Sequence, residues 1–293
     1  MSLEIKEYIK GKRPNLSPSS IITYASILKS LYKKTFDDDD FDINKFNKPY
    51  KVLEVLNDLP FNKRKTILSA LVVITDNKEY RELMGADIKE YNEHISTQEK
   101  SESQNENWVT TEEVNSIYNE LKRNADLIYK KSNKTTADLQ QIQNYIIISL
   151  LGGMYISPRR SKDYVDFKIK KIDKQRDNYM EKKKLVFNSY KTAKTYGMQD
   201  IDLPLSLQKI LNKWIAINPS DFLLFDINNN QLSAVKLNQR INRIFDAKVS
   251  VNLLRHSYLT DKFGYTIEQK TKIDNTMENM GSSANMLKTY VKK

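Results

Sequence analysis

The pattern of apolar and polar positions divides the chain into two helical regions separated by a polar stretch. In the first region, Ser17 and Pro18 are residue types typical of a helix start, and apolar residues then recur at helical spacing over 21–32. Similar patterns predict helices over about 62–75 and 80–95. The aspartate run at 37–40 interrupts the pattern and is predicted to be a solvated loop.

A polar segment without periodicity, residues 96–107, marks a boundary between domains. We assign residues 1–97 to a helical domain, 98–107 to a linker and 108–293 to a second domain. Such a polar linker allows the two domains to take up separate positions around a ligand.

The second domain is predicted to be mainly helical with a small antiparallel sheet. Thr110 and Glu113 match a capping box, and residues 139–151 form a strongly apolar helix. Short apolar runs at 185–187 and 201–204 predict two strands that flank a polar turn. Further helices are predicted over 206–217, over 237–245, and from Asn252 almost to the end.

The charge of the chain points to an anionic partner. Lys and Arg number 48 against 37 Asp and Glu, which gives a formal net charge of +11. This surplus favours a nucleic acid, because each phosphate that is neutralised releases condensed counterions. No apolar run approaches the length of a membrane span, and the N-terminus lacks the apolar core of a signal peptide, so no membrane partner is expected.

The scarcity of cysteine and histidine limits the chemistry that is available. The chain has no cysteine, which excludes disulfides, Cys-ligated zinc and thiol nucleophiles and fits an intracellular protein. His94 and His256 are the only histidines, so no metal site is expected. His94 lies beside a helical apolar stripe and is interpreted as an ordinary surface residue.

Two arginine-containing segments are candidates for binding an anion. Arg255 follows Leu253 and Leu254 in an apolar stretch, where a charge needs a partner; a structural ion pair is the alternative to a functional role. The pair Arg159-Arg160 follows an apolar helix and a glycine break, and a solvated basic pair is the alternative there.

A lysine and a tyrosine complete the set of candidates. Lys191 lies in the polar turn between the two predicted strands, with Lys194 as its rival, and a solvated lysine remains open for either. Tyr290 lies in a helical tail shortly after Gly281. Since the chain has 17 tyrosines, only its position singles it out.

Together these segments resemble the tyrosine recombinases, or phage-type integrases. Arg160 is similar to the family's first catalytic arginine, which has an acidic residue three positions on and an apolar residue seven on, here Asp163 and Phe167. Arg255-His256-Ser257 resembles the segment of the second catalytic arginine. The string from Pro158 to Tyr164 resembles recombinases of virophages and Maverick-type elements.

The resemblance implies a role for each candidate. Tyr290 is implied as the nucleophile, Lys191 as the hairpin lysine, and Asp163 and His256 as supporting residues. Asn252 and Ser282 stand where the family usually has histidine, or for the second position histidine or tryptophan. Asn252 and Ser282 are therefore included as catalytic candidates that can hydrogen-bond a phosphate oxygen but cannot act as acid or base near neutral pH.

The chemistry implied by this resemblance needs no cofactor. Two guanidiniums bind the phosphodiester oxygens as charge builds up in the transition state. The tyrosine attacks phosphorus to give a 3′-phosphotyrosyl enzyme, and the lysine protonates the departing 5′-oxygen. The covalent intermediate conserves the energy of the broken bond, so neither a metal nor ATP is required.

The sequence therefore predicts a site-specific DNA recombinase that forms a two-domain, C-shaped DNA clamp. The helical domain would be the core-binding domain and residues 108–293 the catalytic domain. The expected partner is double-stranded DNA, bound as a homo-tetramer on paired sites by a chain that is a monomer or dimer when free. Host nucleus, host cytoplasm or a virion is the expected location. Lysines expected to contact DNA are Lys170, Lys171, Lys182, Lys183, Lys184 and Lys194.

Two alternatives share this fold. A type IB topoisomerase-like enzyme would relax supercoils as a monomer without site preference. A catalytically silent DNA-binding protein would bind duplex DNA without ever becoming attached to it.

Overall fold

The computed structural model describes residues 2–36 and 41–292, so the predicted acidic loop at 37–40 lies outside the described residues. The chain divides into two compact units, Met1–Lys100 and Ser101–Lys293. The division falls within the predicted linker, 98–107. A short helix, Glu102–Glu106, occupies part of that stretch and belongs to the second unit.

The first unit is helical in its described residues. Its elements are α1 (Ser2–Lys12), α2 (Pro18–Thr35), a 3-10 turn (Ile43–Asn47), α3 (Pro49–Asn57), α4 (Phe61–Thr75) and α5 (Lys78–Ser96). The predicted start of α2 is confirmed, because the Ser17 side chain accepts a hydrogen bond from the Ser20 N–H. An ion pair between Arg64 and the buried Asp87, 2.6 Å apart, joins α4 to α5.

The second unit is mainly helical and also contains a sheet. Its helices after α6 (Glu102–Glu106) are α7 (Thr111–Tyr129), α8 (Thr136–Leu151), α9 (Ser161–Val165), α10 (Ala193–Tyr196), α11 (Leu205–Ile217), α12 (Ala234–Phe245), α13 (Val251–Asn279), a 3-10 turn (Ala284–Met286) and α14 (Leu287–Tyr290). The Thr110–Glu113 capping box at the start of α7 is confirmed. None of the helices in residues 2–36 and 41–292 has the length and apolar character needed to cross a membrane.

The predicted small sheet is present, and the two predicted strands pair antiparallel as expected, but the sheet is mixed because it also contains one parallel pair. Its strands are β1 (Phe167–Lys168), β2 (Asn178–Glu181), β3 (Lys184–Phe187) and β4 (Gln199–Asp202), in that order. β1 pairs with β2 in parallel, and the other pairs are antiparallel. The sequence pattern missed β1 and β2 because one is two residues long and the other lies in a lysine-rich stretch. β4 also begins and ends earlier than predicted. It ends before Pro204 because proline has no N–H to donate to a sheet, and Pro204 instead caps α11.

The core of the second unit forms around α8, whose sequence is strongly apolar. Ile142, Ile146 and Leu150 of this helix are fully buried. The buried Gln143 side chain donates to the Phe225 carbonyl at 2.9 Å and accepts from the Phe225 N–H at 2.8 Å. These two bonds satisfy the amide and connect α8 to the segment that follows α11.

The N-terminus of α8 gives this unit an acid-sensitive contact. Asp138 accepts hydrogen bonds from Lys131 Nζ and from the Thr135 N–H, and these bonds lower the pKa of its carboxyl from 3.8 to about 2. Since the folded-state pKa is the lower one, the ionised carboxyl stabilises the fold above about pH 4, and this contribution is lost as the pH falls towards 2.

We expect Asp138→Asn to lose less stability than the wild type between about pH 4 and pH 2. Urea midpoints measured across this range test the expectation. Asp274→Asn, at an exposed position of α13, is the control and should follow the wild-type curve. Identical acid profiles for the wild type and Asp138→Asn would contradict it.

Candidate active site

The turn that carries the basic pair begins where α8 ends. Gly152 caps α8, and Gly153 follows in a left-handed conformation with φ of 82°. The chain then passes through Ser157 and Pro158 to Arg160, the N-cap residue of α9. We refer to residues 157–160 as the arginine turn.

The start of α13 brings a second arginine to this turn. Ser250 caps the helix, and Val251, Leu253 and Leu254 are buried in the core of the unit. These contacts fix the orientation of Arg255, whose Nε donates to the Pro158 carbonyl at 3.3 Å. The structure therefore brings together Arg160 and Arg255 from segments far apart in sequence.

Asn252 belongs to the same group of side chains, whereas His256 does not. Asn252 Oδ1 accepts a hydrogen bond of 3.1 Å from Arg255 Nη1. His256 is exposed, and its ring makes no hydrogen bond within the described part of the chain. The buried face of α13 is occupied by Leu253, Leu254 and Ser257, which leaves His256 facing solvent, where it supports neither arginine.

Asp163 is the buried carboxyl of the site. It is 2% exposed, and burial raises its pKa against the opposing charges of Arg159, Arg160 and Arg255. Burial also lowers the pKa of Arg255, and the neighbouring charge of Arg160 adds to this effect. A single carboxyl among three guanidiniums leaves the site with excess positive charge, which favours an anionic ligand.

The two arginines of the basic pair have different surroundings. Arg159 Nε donates to Asp163 Oδ2 at 2.8 Å, so the predicted supporting carboxyl contacts Arg159. Arg160 is exposed, and its guanidinium makes no hydrogen bond or ion pair with any described residue. Of the two guanidiniums, that of Arg160 is the one open to a phosphate.

The hairpin lysines are both open to solvent. The predicted polar turn between β3 and β4 contains the short helix α10. Lys191 lies just before α10 and Lys194 within it, and both are exposed. Within the described ranges neither lysine has a hydrogen-bonding partner. Tyr190 is buried, and its hydroxyl donates to the Gly197 carbonyl at 2.7 Å. This bond joins the residues on either side of α10.

The lysines expected to contact DNA fall into two groups. Lys170 donates to the Asn218 carbonyl at 2.8 Å, and Lys171 and Lys184 pair with Asp221 and Asp200, each at 2.8 Å. The other three are exposed, and their ammonium groups have no hydrogen-bonding or ion-pair partner among residues 2–36 and 41–292: Lys182, Lys183 and Lys194. The ammonium groups of the second group are therefore free to bind an anion without breaking an existing contact.

Ser282 and Tyr290 lie near the other end of α13. The helix ends in a Schellman motif, in which Gly281 has φ of 68° and the Ser282 N–H donates to the Met277 carbonyl at 2.8 Å. A rise of about 1.5 Å per residue puts Met277 about 33 Å from Arg255 along this continuous helix.

The C-terminal turn is held at that far end. Leu287 lines a groove with Ile273 and Met277, and Tyr290 is 56% exposed. No described residue of the arginine turn bonds to Tyr290 or Ser282. The structure thus brings Arg160, Arg255, Asn252 and Asp163 together and leaves the predicted nucleophile apart from them.

Tyr258 is a site residue that sequence reasoning missed. Its hydroxyl lies 3.0 Å from Ser157 Oγ and accepts a bond of 2.9 Å from Lys262 Nζ. Burial alone raises the pKa of Tyr258, but the bonds from Lys262 and Ser157 outweigh it and leave the pKa lowered. Its position three residues after Arg255 on a helix was the available signal, since residues at that spacing share a face.

The glycine break before the arginine turn makes room for Tyr258. A Cβ at Gly153 would lie 2.3 Å from Tyr258 Cδ2, and the left-handed backbone there favours glycine. We expect Gly153→Ala to lower the free energy of unfolding by about 1–3 kcal/mol. Urea unfolding measures this change. Gly85→Ala, in the open middle of α5, is the control and should stabilise by about 0.5–1 kcal/mol.

No protein-family model matches the chain, and no curated protein matches it. Among solved structures, a crystal structure of a lambda integrase(75-356) dimer bound to a COC' core site is similar, with a TM-score of 0.46 and 15% sequence identity. The similarity covers 89% of this chain and 86% of that chain. The assignment of the site therefore rests on its own side chains.

In the described ranges, no group of three or more His, Asp or Glu side chains is placed to hold a metal ion.

Proposed function

We propose that this chain belongs to the class of enzymes that break and rejoin DNA strands through a covalent tyrosyl intermediate. The observation that carries the proposal is the meeting of Arg160 and Arg255 at one positively charged site. Two guanidiniums can bind both non-bridging oxygens of a phosphodiester and remain charged at any physiological pH.

Within this class we propose a site-specific recombinase of the integrase type. Its substrate is duplex DNA, and rejoining to a partner strand requires two sites held together, for which we propose a homo-tetramer. The narrower resemblance to virophage and Maverick-type recombinases remains a prediction, as does a location in the host nucleus, the host cytoplasm or a virion.

In the proposed reaction, Tyr290 is the nucleophile. The phenol loses its proton to water, and its oxygen bonds to phosphorus while the bond from phosphorus to the 5′-oxygen breaks. Lys191 donates a proton to that oxygen, and Arg160 and Arg255 bind the charge that develops on the other two oxygens. Asn252 orients Arg255 through their hydrogen bond and offers its amide to the phosphate.

Cleavage requires Tyr290, at the far end of α13, to reach an arginine turn, either that of its own chain or that of a second copy. The helix beyond Gly264 carries the exposed apolar side chains of Tyr265 and Ile267, and it is not held by the core of the unit. Glycine is a poor helix former, so α13 can bend at Gly264. Such a bend would carry Tyr290 towards the arginine turn of its own chain. A second copy could instead present its Tyr290 to this site.

The experiment that tests the proposal is covalent trapping on suicide substrates. A pool of short duplexes, randomised in sequence and each carrying a nick, is incubated with the protein in EDTA and run on denaturing gels. We expect a covalent protein–DNA band, from which the attached DNA is recovered and sequenced to define the site. Binding without any such band, in EDTA and in magnesium, would contradict the proposal.

A catalytically silent DNA-binding protein is the second candidate. Two observations favour this candidate. Asn252 and Ser282 do not transfer a proton near neutral pH, and Tyr290 is separated from the arginines by the length of α13. Binding without trapping would support this candidate. Supercoil relaxation by a monomer without site preference would instead support a type IB topoisomerase.

A further inference from the structure

Arg159 connects the arginine turn to the lysine hairpin, which we define as residues 184–202. Its Nη1 donates to Gln199 Oε1 at 3.0 Å, at the start of β4. Its guanidinium lies 4.1 Å from the centroid of the Phe187 ring, at the end of β3. The centroid of the Tyr190 ring, in the residue before Lys191, lies 5.0 Å from the guanidinium. Arg159 therefore contacts the hairpin on both sides of Lys191.

The same guanidinium is fixed on its other side to α9. Its Nε donates to Asp163 Oδ2 at 2.8 Å, and the two side chains are 16% and 3% exposed. Because the guanidinium is planar and its donors have fixed directions, contacts on two edges and one face define its orientation. Arg159 is thus unavailable to DNA but well placed to hold two elements together.

A buried asparagine reinforces this connection. Asn178 Nδ2 donates to the Asp163 carbonyl at 3.0 Å and to the Ser189 carbonyl at 2.8 Å. The Ser189 N–H donates back to Asn178 Oδ1 at 2.8 Å. The backbone two residues before Lys191 is therefore joined to the helix that follows Arg160.

We propose that Arg159 is a positioning residue that sets the distance between the phosphate-binding guanidinium of Arg160 and the proton donor Lys191. The inference rests on the proposed function. In the cleavage step the phosphorus–O5′ bond breaks as the tyrosyl O–P bond forms, and a lysine proton passes to the 5′-oxygen. A hairpin displaced by about 1 Å slows that transfer strongly, since proximity contributes much of the rate.

The test compares two leaving groups. The duplex recovered by trapping is prepared with its natural 5′-oxygen or with 5′-sulfur at the scissile position. A thiol has a pKa of about 8.5, so a thiolate leaves without the proton that an alkoxide needs. A defect in the placement of Lys191 should disappear on the sulfur substrate, whereas a defect in phosphate binding should persist.

The variants distinguish loss of the contact between Arg159 and the hairpin from a general loss of folding. Arg159→Lys keeps the charge beside Asp163 but loses the planar contacts. Gln199→Leu removes only the hydrogen bond that the hairpin accepts from Arg159, and it keeps the proposal testable if Arg159→Lys does not fold. Gln208→Leu is the matched control, because it loses a 3.2 Å bond to the carbonyl of Lys182, which lies just before the hairpin and makes no contact with Arg159.

We expect Arg159→Lys and Gln199→Leu to form the adduct about 10-fold to 100-fold more slowly on the oxygen substrate. On the sulfur substrate these two variants and Lys191→Ala should come within about 3-fold of the wild type, whereas Arg160→Ala should be slow on both substrates. Gln208→Leu should match the wild type. Equal slowing on both substrates, or wild-type rates on both, overturns the proposal. A wild-type protein that forms no adduct with either substrate refutes the proposed function instead.

Discussion

Arg255→Ala is expected to slow formation of the covalent complex by about 10²–10³-fold, which corresponds to about 2.7–4 kcal/mol in activation free energy. The guanidinium is half-buried, oriented by the Pro158 carbonyl and Asn252, and close to Arg160. A donor fixed in this way stabilises the charge of the transition state without reorganising. Rates of adduct formation on the recovered duplex measure the effect.

The fold should tolerate this substitution. The substitution removes the stabilising hydrogen bond to Pro158 but also removes repulsion among the neighbouring arginines. These two effects on stability oppose each other, so the melting temperature should change little. Arg243→Ala, at an exposed position of α12, removes the same charge outside the site and is the control. If Arg255→Ala and Arg243→Ala lose the same small amount of activity, Arg255 acts only through its charge and the assigned role is wrong.

Tyr290→Phe is expected to abolish the covalent complex and leave duplex binding unchanged. The substitution removes only the hydroxyl oxygen that would bond to phosphorus, at a side chain that is 56% exposed and without a hydrogen-bonding partner in the described ranges. Folding and DNA affinity should therefore match those of the wild type. Denaturing gels detect the adduct, and a gel-shift titration at fixed salt measures binding.

Two other tyrosines provide controls for this result. Tyr265→Phe, on the exposed half of α13, should trap as well as the wild type. Tyr258→Phe loses the bonds from Lys262 and Ser157 beside the arginine turn, so a reduced rate is expected but not a complete loss. An adduct that survives in Tyr290→Phe and disappears in Tyr258→Phe would move the nucleophile to Tyr258.

Helices that carry their own start signals could be predicted from sequence. Ser17 before α2 and the Thr110–Glu113 box before α7 are local signals, and the structure contains both caps. The sheet was harder because β1 and β2 depend on partners that come later in the chain. Neither strand has enough alternating positions to give a pattern of its own.

Within the site, motif spacing selected residues but not their contacts. The spacing to Asp163 pointed to Arg160, and the structure shows that Asp163 bonds to Arg159, whose side chain also contacts the hairpin. Periodicity also could not distinguish one continuous α13 from two helices joined at Gly264. The position of Tyr290 relative to Arg255 depends on that difference, so it could not be derived from the sequence.

In the proposed reaction Tyr290 becomes covalently attached to a 3′-phosphate of DNA. The most direct measurement is trypsin digestion of the trapped complex, followed by mass spectrometry of the peptide that carries the nucleotide. Attachment at Tyr290 places the adduct on the peptide from Thr289 to Lys292. An adduct on the peptide from His256 to Lys262, which contains Tyr258, or on no tyrosine at all, would contradict it.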